Sequence, residues 1–222
     1  MNYFIYDIDG TLYDFDKGER NSEGKTKSYD ESDFKKDLFQ NVRSFFISKL
    51  NYSEEAVDAL FRKMDAEGDK KFSVFVQKNH GVSRGDYFNY VWDLDPSKYV
   101  SPNENLNRIF DTTKNNLIIS NAPRIWASRV LEVLGIEEYF SSGNLFTGEL
   151  EICKPKPEIF EMAVEYFKTE PTKCYSIGDQ EDTDLLPANK LKMKTIMVRN
   201  KSKDHTPTHE IDSINELLER LF

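Results

Sequence analysis

The residues of this chain most able to do chemistry are acids placed at the ends of apolar runs. Asp7 interrupts the run 3–8, and Asp9 follows with Gly10 and Thr11 behind it. A carboxylate at the end of a buried strand is expensive unless a cation or hydrogen bonds replace its lost water. On an extended strand, side chains two apart point the same way, and Gly10 lets the chain turn sharply beyond the pair. Asp7 and Asp9 are therefore expected to hold a hard divalent ion such as Mg2+. A second acidic group, Asp179 with Glu181, Asp182 and Asp184, follows another glycine, Gly178. Two such groups brought together repel unless a cation sits between them.

The apolar runs must position these acids. Residues 3–8, 117–119, 174–177 and 195–198 are short and apolar, and each stops in polar residues, as strands buried on both faces do. Between the later runs the apolar spacing turns helical, at Trp126, Val130, Val133 and Leu134, then at Ile159, Phe160, Ala163, Val164 and Phe167. Gly135 suits a helix C-terminus and Pro157 a first turn. Ile211, Ile214, Leu217, Leu218 and Leu221 predict a closing helix. Alternating strands and helices predict an α/β fold, a Rossmann-like parallel sheet sandwiched by helices. In such a sheet the acids after the first and third runs share one edge, where ligands bind.

The gap between the runs 3–8 and 117–119 is far longer than one crossover helix needs. Phe34, Leu38, Val42, Phe45, Phe46 and Leu50 predict one amphipathic helix within it. Val57, Leu60, Phe61 and Met64, opening at Ser53, predict another, and Tyr87, Tyr90 and Val91 mark a third. The expected organisation is a core of residues 1–13 and 103–222 with a helical cap inserted over 14–102. Its polar stretch 16–33 is expected as a mobile loop. The aromatics Phe72, Phe75, Tyr87, Tyr90 and Trp92 are expected to pack within the insert, and Lys78, Arg84 and Asn89 could supply polar contacts to a substrate.

Thirty Lys and Arg against 39 Asp and Glu give a net charge of −9. Long-range attraction to a nucleic-acid polymer or an anionic membrane face is disfavoured, so a phosphorylated partner should be small and held locally. No apolar run approaches the roughly 20 residues that span a bilayer, and the first residues lack the basic flank of a signal peptide; a cytoplasmic location is expected. Cys153 and Cys174 are read as reduced structural thiols, and His80, His205 and His209 as surface residues.

In order along the chain, Asp7-Ile8-Asp9-Gly10-Thr11-Leu12, Ser120-Asn121, Lys154-Pro155 and Gly178-Asp179 with Asp184 resemble the four motifs of the haloacid dehalogenase superfamily. The resemblance implies that Asp7 is a nucleophile toward phosphorus. Asp9 would then be the acid that protonates the leaving oxygen and the base that later activates water, offering the metal only its backbone carbonyl. It places Gly10, Thr11, Ser120, Asn121 and Lys154 around the phosphoryl group, with Lys154 preferred to Lys156 because Lys154-Pro155 is the pair that matches the family's motif. It makes Asp7, Asp9, Asp179 and Asp184 the Mg2+ site. Members that cleave carbon–halogen bonds lack an acid two residues after the nucleophile, so Asp9 favours phosphate chemistry. The insert's position resembles that of the helical cap many members carry.

The stretch Asp93-Leu94-Asp95 through Tyr99-Val100-Ser101-Pro102, with Ser120-Asn121-Ala122 and Cys153-Lys154-Pro155, is similar to the pyrimidine 5′-nucleotidase-like branch. That branch often has Asn where this chain has Gly10. A nucleoside monophosphate is accordingly the leading expectation for the substrate. A phosphotransferase or sugar-phosphate mutase of the same superfamily is the alternative, as is a non-catalytic binding protein that retains the fold; the complete set of acids with Lys154 argues against the last.

Overall fold

The computed structural model describes residues 1–66 and 72–221. Among them, β1 (Tyr3–Tyr6), β2 (Asn116–Ile119), β3 (Leu145–Phe146), β4 (Cys174–Gly178), β5 (Lys194–Val198) and β6 (His209–Ile211) form one sheet in the order β3-β2-β1-β4-β5-β6. Every pairing is parallel, with Ile5 opposite both Leu117 and Ser176. The order reverses at β1, so the crevice beyond the ends of β1, β2 and β4 is the topological switch point.

The expected runs account for β1, β2, β4 and β5. β3 and β6 are additional, and at two and three residues they are too short to carry a periodic signal. Ile211 closes β6 and does not join the terminal helix, which begins after a 3₁₀ turn at Ile214–Glu216.

The connecting helices are α5 (Asn105–Thr113), α6 (Arg124–Leu134), α7 (Glu158–Phe167), α8 (Leu186–Lys190) and α9 (Leu217–Leu221). They cover both faces of the sheet. Ile5, Leu117 and Ile119 pack with Ile159, Phe160 and Ala163 on one face, whereas Phe4, Tyr6 and Ile118 join Ile109, Trp126 and Val130 on the other.

Between β1 and α5 lie α1 (Asp33–Leu50), α2 (Glu54–Ala66), α3 (Phe72–His80) and α4 (Arg84–Val91). Ser32 starts α1 by accepting a hydrogen bond from the Lys35 N–H, and Asn51 ends it in the left-handed conformation. The buried stripe Phe34, Leu38, Val42, Phe45 and Phe46 is the face predicted from spacing. α3 has no long apolar period, but Phe72 and Val76 are buried. One continuous apolar cluster runs from these helices into the sheet's upper face. Phe34 joins the two by stacking on Trp126 of α6, ring centres 4.6 Å apart.

Residues 16–33, expected as a mobile loop, follow a path defined by polar contacts. Asp16, 5% exposed, accepts from the N–H groups of Asp33 and Phe34 and pairs with Lys27, capping the first turn of α1. Arg20 and Thr26 form a bridge, and a capping box at Ser28 and Glu31 closes a 3₁₀ turn. Hydrophobic pattern is blind to a segment held in this way.

Candidate active site

β1 delivers Asp7 and β4 delivers Asp179, side by side because the Asp7 N–H donates to the Ile177 carbonyl at the adjoining end of β4. Asp184 arrives from a single π-helical turn, Glu181–Leu185, that follows β4. The carboxylates of Asp7, Asp179 and Asp184 each offer an oxygen within 4.8 Å of the other two, and all three are buried. Lys154, 5% exposed, reaches into the cluster and places Nζ 2.6 Å from Asp7 Oδ1 and 2.5 Å from Asp184 Oδ1. Acids and a lysine from three distant segments thus meet at the sheet edge.

Two glycines let the carboxylates come this close. Gly10 has φ +84°, and a Cβ there would lie 2.5 Å from Asp179 Oδ2. At Gly178 a Cβ would lie 2.3 Å from Asp184 Oδ2, so the carboxylate lies directly over the glycine backbone. Asp184 is further held by the Gln180 N–H, while Ser176 Oγ donates to its backbone carbonyl.

The electrostatics follow from burial and crowding. Burial raises the Asp179 carboxyl well above its ordinary range, and Asp7 and Asp184 raise it further. Burial also lifts Asp184 to about 6, although Lys154 opposes the shift. Burial lowers the Lys154 ammonium, but Asp184 and Asp7 outweigh it and leave the group more basic than a free lysine. One ammonium among three carboxylates leaves an excess of negative charge. An oxygen-only donor set in that state fits a hard divalent cation, which Asp7 and Asp179 would hold with Asp184 beside them.

Asp9 does not join the cluster with its side chain. The strand ends at Tyr6, so the alternation that would aim Asp9 alongside Asp7 no longer applies. Its Oδ1 instead accepts from Tyr13 Oη at 2.6 Å and Trp126 Nε1 at 2.8 Å. Burial, then the Asp7 charge, lifts Asp9 to about 6.

The phosphate-side candidates are close by. Thr11 Oγ1 lies 3.1 Å from Asp7 Oδ2 and 3.5 Å from Asp179 Oδ1, bridging the two acids. Ser120 Oγ accepts from the Ala122 N–H, and Asn121 Nδ2 donates to the Lys154 carbonyl, which ties the end of β2 to the lysine loop. Lys156 lies on the exposed side of the same loop.

Sequence reasoning missed Tyr13 and Arg199, and it read Trp126 as helix core only. Arg199, at the end of β5, donates to the backbone carbonyls of Gly10 and Thr11 and pairs with Asp14, pinning the loop that carries Asp9. Its neighbour Asn200 donates to the Asp179 carbonyl at 2.7 Å. Their position just past a strand end was the available signal. Glu181 accepts from Ser202 Oγ and from the N–H groups of Lys203 and Asp204, anchoring the loop after β5 rather than facing the cluster.

A cavity of about 380 Å³ opens between the insert and the sheet edge, touches the cluster at Lys154 and is lined beside it by Asn121. Tyr29, Phe39, Phe88 and Trp92 are among its walls, with Lys35, Arg84 and Lys154 as its cations and Asp30 and Glu151 as its acids. Arg84 also reaches from α4 across to the backbone carbonyls of Gly148 and Glu149, joining the insert to the loop after β3.

A family model for haloacid dehalogenase-like hydrolases matches residues 1–191. A glyceraldehyde 3-phosphate phosphatase of Methanopyrus kandleri is 31% identical over 94 residues, 39% of this chain and 40% of that protein. Matched sequence therefore spans well under half of that relative. Among solved structures, a HAD phosphatase from Thermococcus onnurineus superposes with a TM-score of 0.67 at 21% identity, covering 100% of this chain and 98% of that one. A β-phosphoglucomutase from Clostridium difficile gives 0.58 at 19% identity, covering 99% and 96%. These two similarities concern the fold alone. With the segments of Asp7, Lys154 and Asp179 converging on one carboxylate cluster and the family model spanning most of the sequence, the chain belongs to the haloacid dehalogenase-like hydrolases.

Proposed function

We propose that the chain hydrolyses small phosphate monoesters by way of an aspartyl phosphate on Asp7, with Mg2+ as its cation. The observation that carries this reading is the Asp7 carboxylate, buried between Lys154 and the other two acids of the cluster. Such a carboxylate is held in position, and Lys154 balances charge as a phosphoryl group arrives.

In the first half-reaction an Asp7 oxygen forms a bond to phosphorus while the bond from phosphorus to the leaving oxygen breaks. Asp9 gives that oxygen its proton. In the second, Asp9 takes a proton from water as the water oxygen bonds to phosphorus, and the bond to Asp7 breaks to restore the carboxylate. A bound divalent cation supplies charge neutralisation for the phosphoryl oxygens. Ser120, Asn121 and the backbone of Gly10 and Thr11 are the phosphate-side groups, and the insert 14–102 acts as the cap.

For the leaving group, the aromatic walls of the cavity favour a body with a planar, apolar face that can lie against them, while Asp30, Lys35, Ser73 and Arg84 at the same walls offer partners for its hydroxyls. A nucleoside monophosphate fits that description. The M. kandleri relative's name makes glyceraldehyde 3-phosphate a necessary comparison.

The test is phosphate release with Mg2+ from nucleoside monophosphates, sugar phosphates and glyceraldehyde 3-phosphate, for the wild type and Asp7→Asn. Mg2+-dependent turnover lost in the variant is expected. Retained turnover in a verified Asp7→Asn protein refutes the nucleophile, and preference for a polyol ester refutes the leaving-group assignment.

A further inference from the structure

Asp9 is held by two neutral donors that converge on the same carboxylate oxygen. Tyr13 Oη and Trp126 Nε1 lie 2.6 and 2.8 Å from Asp9 Oδ1. An indole N–H can only donate, so Oδ1 must accept from it. With Tyr13 donating along the other lone-pair direction, Oδ1 has no place left for a proton, and Oδ2 is the oxygen that can carry one.

The indole is itself fixed from the insert. Trp126 is fully buried, and its ring stacks on Phe34 at 4.6 Å with 22° between planes. Phe34 sits in the first turn of α1, where its N–H bonds to Asp16, and its ring also meets Phe15 and Tyr99. Tyr13 packs edge-on against Phe15. The groups that aim Asp9 therefore rest on the same aromatic stack that seats the insert on the core.

We infer that Tyr13 and Trp126 are positioning residues that hold Asp9 through Oδ1 so that Oδ2 alone exchanges the proton with the leaving group and with water, and that Phe34 couples this alignment to the seating of the insert. The inference rests on the phosphomonoesterase reading. In each turnover the proton on Oδ2 leaves with the departing oxygen and is replaced by one from the attacking water, so the sum is ester plus water to alcohol plus phosphate.

The test uses leaving-group basicity. An alkyl ester such as a nucleoside 5′-monophosphate or glycerol phosphate releases a strongly basic alkoxide and needs the acid, whereas p-nitrophenyl phosphate releases a stable phenolate and hardly needs it. The quantity compared is kcat/KM, which stops at the first irreversible step and so omits hydrolysis of the intermediate. In Tyr13→Phe, which keeps the ring and removes the donor, and in Trp126→Phe, which removes the donor and exchanges the indole for a smaller ring, the alkyl-to-aryl ratio of kcat/KM should drop about tenfold, a part of the ~10²–10⁴-fold that general acid catalysis supplies. Phe34→Leu should move the ratio in the same direction without touching Asp9.

Equal losses on both esters, or no loss, overturn the positioning role, and an unmoved ratio in Phe34→Leu overturns the coupling. Tyr13→Phe removes one hydroxyl and provides the reading if Trp126→Phe melts early. A wild-type protein that turns over no ester refutes the phosphatase reading itself, which is a distinct result.

Discussion

Replacing Lys154 with Met keeps an unbranched side chain of similar length and removes the one ammonium paired with Asp7 and Asp184. Three buried carboxylates within 4.8 Å of one another then lose their neutralising partner. Removing one member of a buried ion pair destabilises by about 3–5 kcal/mol. For a domain of this size, with ~2–4 °C of Tm per kcal/mol, the metal-free variant should melt about 6–20 °C below the wild type. The pH dependence follows from the raised carboxyls. Asp184 is lifted to about 6 from an ordinary value of 3.8, so the folded protein holds a proton there that the unfolded chain would release. That preference for the protonated fold favours folding at low pH and is lost as pH rises through the folded value. Without the lysine the folded value moves higher still. The deficit in Tm should therefore be large near about pH 8 and much smaller near about pH 5. Thermal melts followed by circular dichroism in EDTA at both pH values measure it. An unchanged Tm near pH 8, or equal deficits at both, would refute the claim that Lys154 neutralises a crowded acidic cluster.

The same proton bookkeeping applies to the intact metal-free protein: Asp9, Asp179 and Asp184 are all raised, so stability should fall between about pH 4 and 6, and added Mg2+ should raise Tm more at about pH 8 than at about pH 5. A Mg2+ shift independent of pH would contradict it. Gly10→Ala would force a Cβ to 2.5 Å from Asp179 Oδ2 at a φ of +84°. A loss of ~1–3 kcal/mol is expected, with weaker Mg2+ binding by calorimetry. Arg199→Ala frees the carbonyls of Gly10 and Thr11 and the Asp14 carboxylate. It should destabilise by ~1–3 kcal/mol in a denaturant melt and lower kcat more than it raises KM, since it loosens the loop carrying Asp9.

Much of this was written in local pattern. Asp7 and Asp179 each follow an apolar run, and burial of a run on both faces needs no partner to be recognised. The spacing of Phe34, Leu38, Val42 and Phe45 likewise specifies the buried face of α1, because a helical period is a property of neighbours in sequence. β3 and β6 were illegible for the converse reason: a two- or three-residue strand exists only because a longer strand lies beside it. The course of residues 16–33 depends on where Asp16 finds its donors, 11 to 18 residues further along the chain.

Sequence alone determined which acids stand at strand ends, and hence that they would share one edge of a parallel sheet; a lysine and a serine joined them only through the resemblance of the motifs. Tertiary structure decided how they divide the work. Asp9 turned from the acidic cluster because Trp126, 117 residues away, offers it an indole N–H, and Lys154 settled between Asp7 and Asp184. Hydrophobic periodicity records which side of an element is buried, whereas the direction of a polar side chain is set by donors and acceptors that only the folded chain brings within 3 Å or so of it.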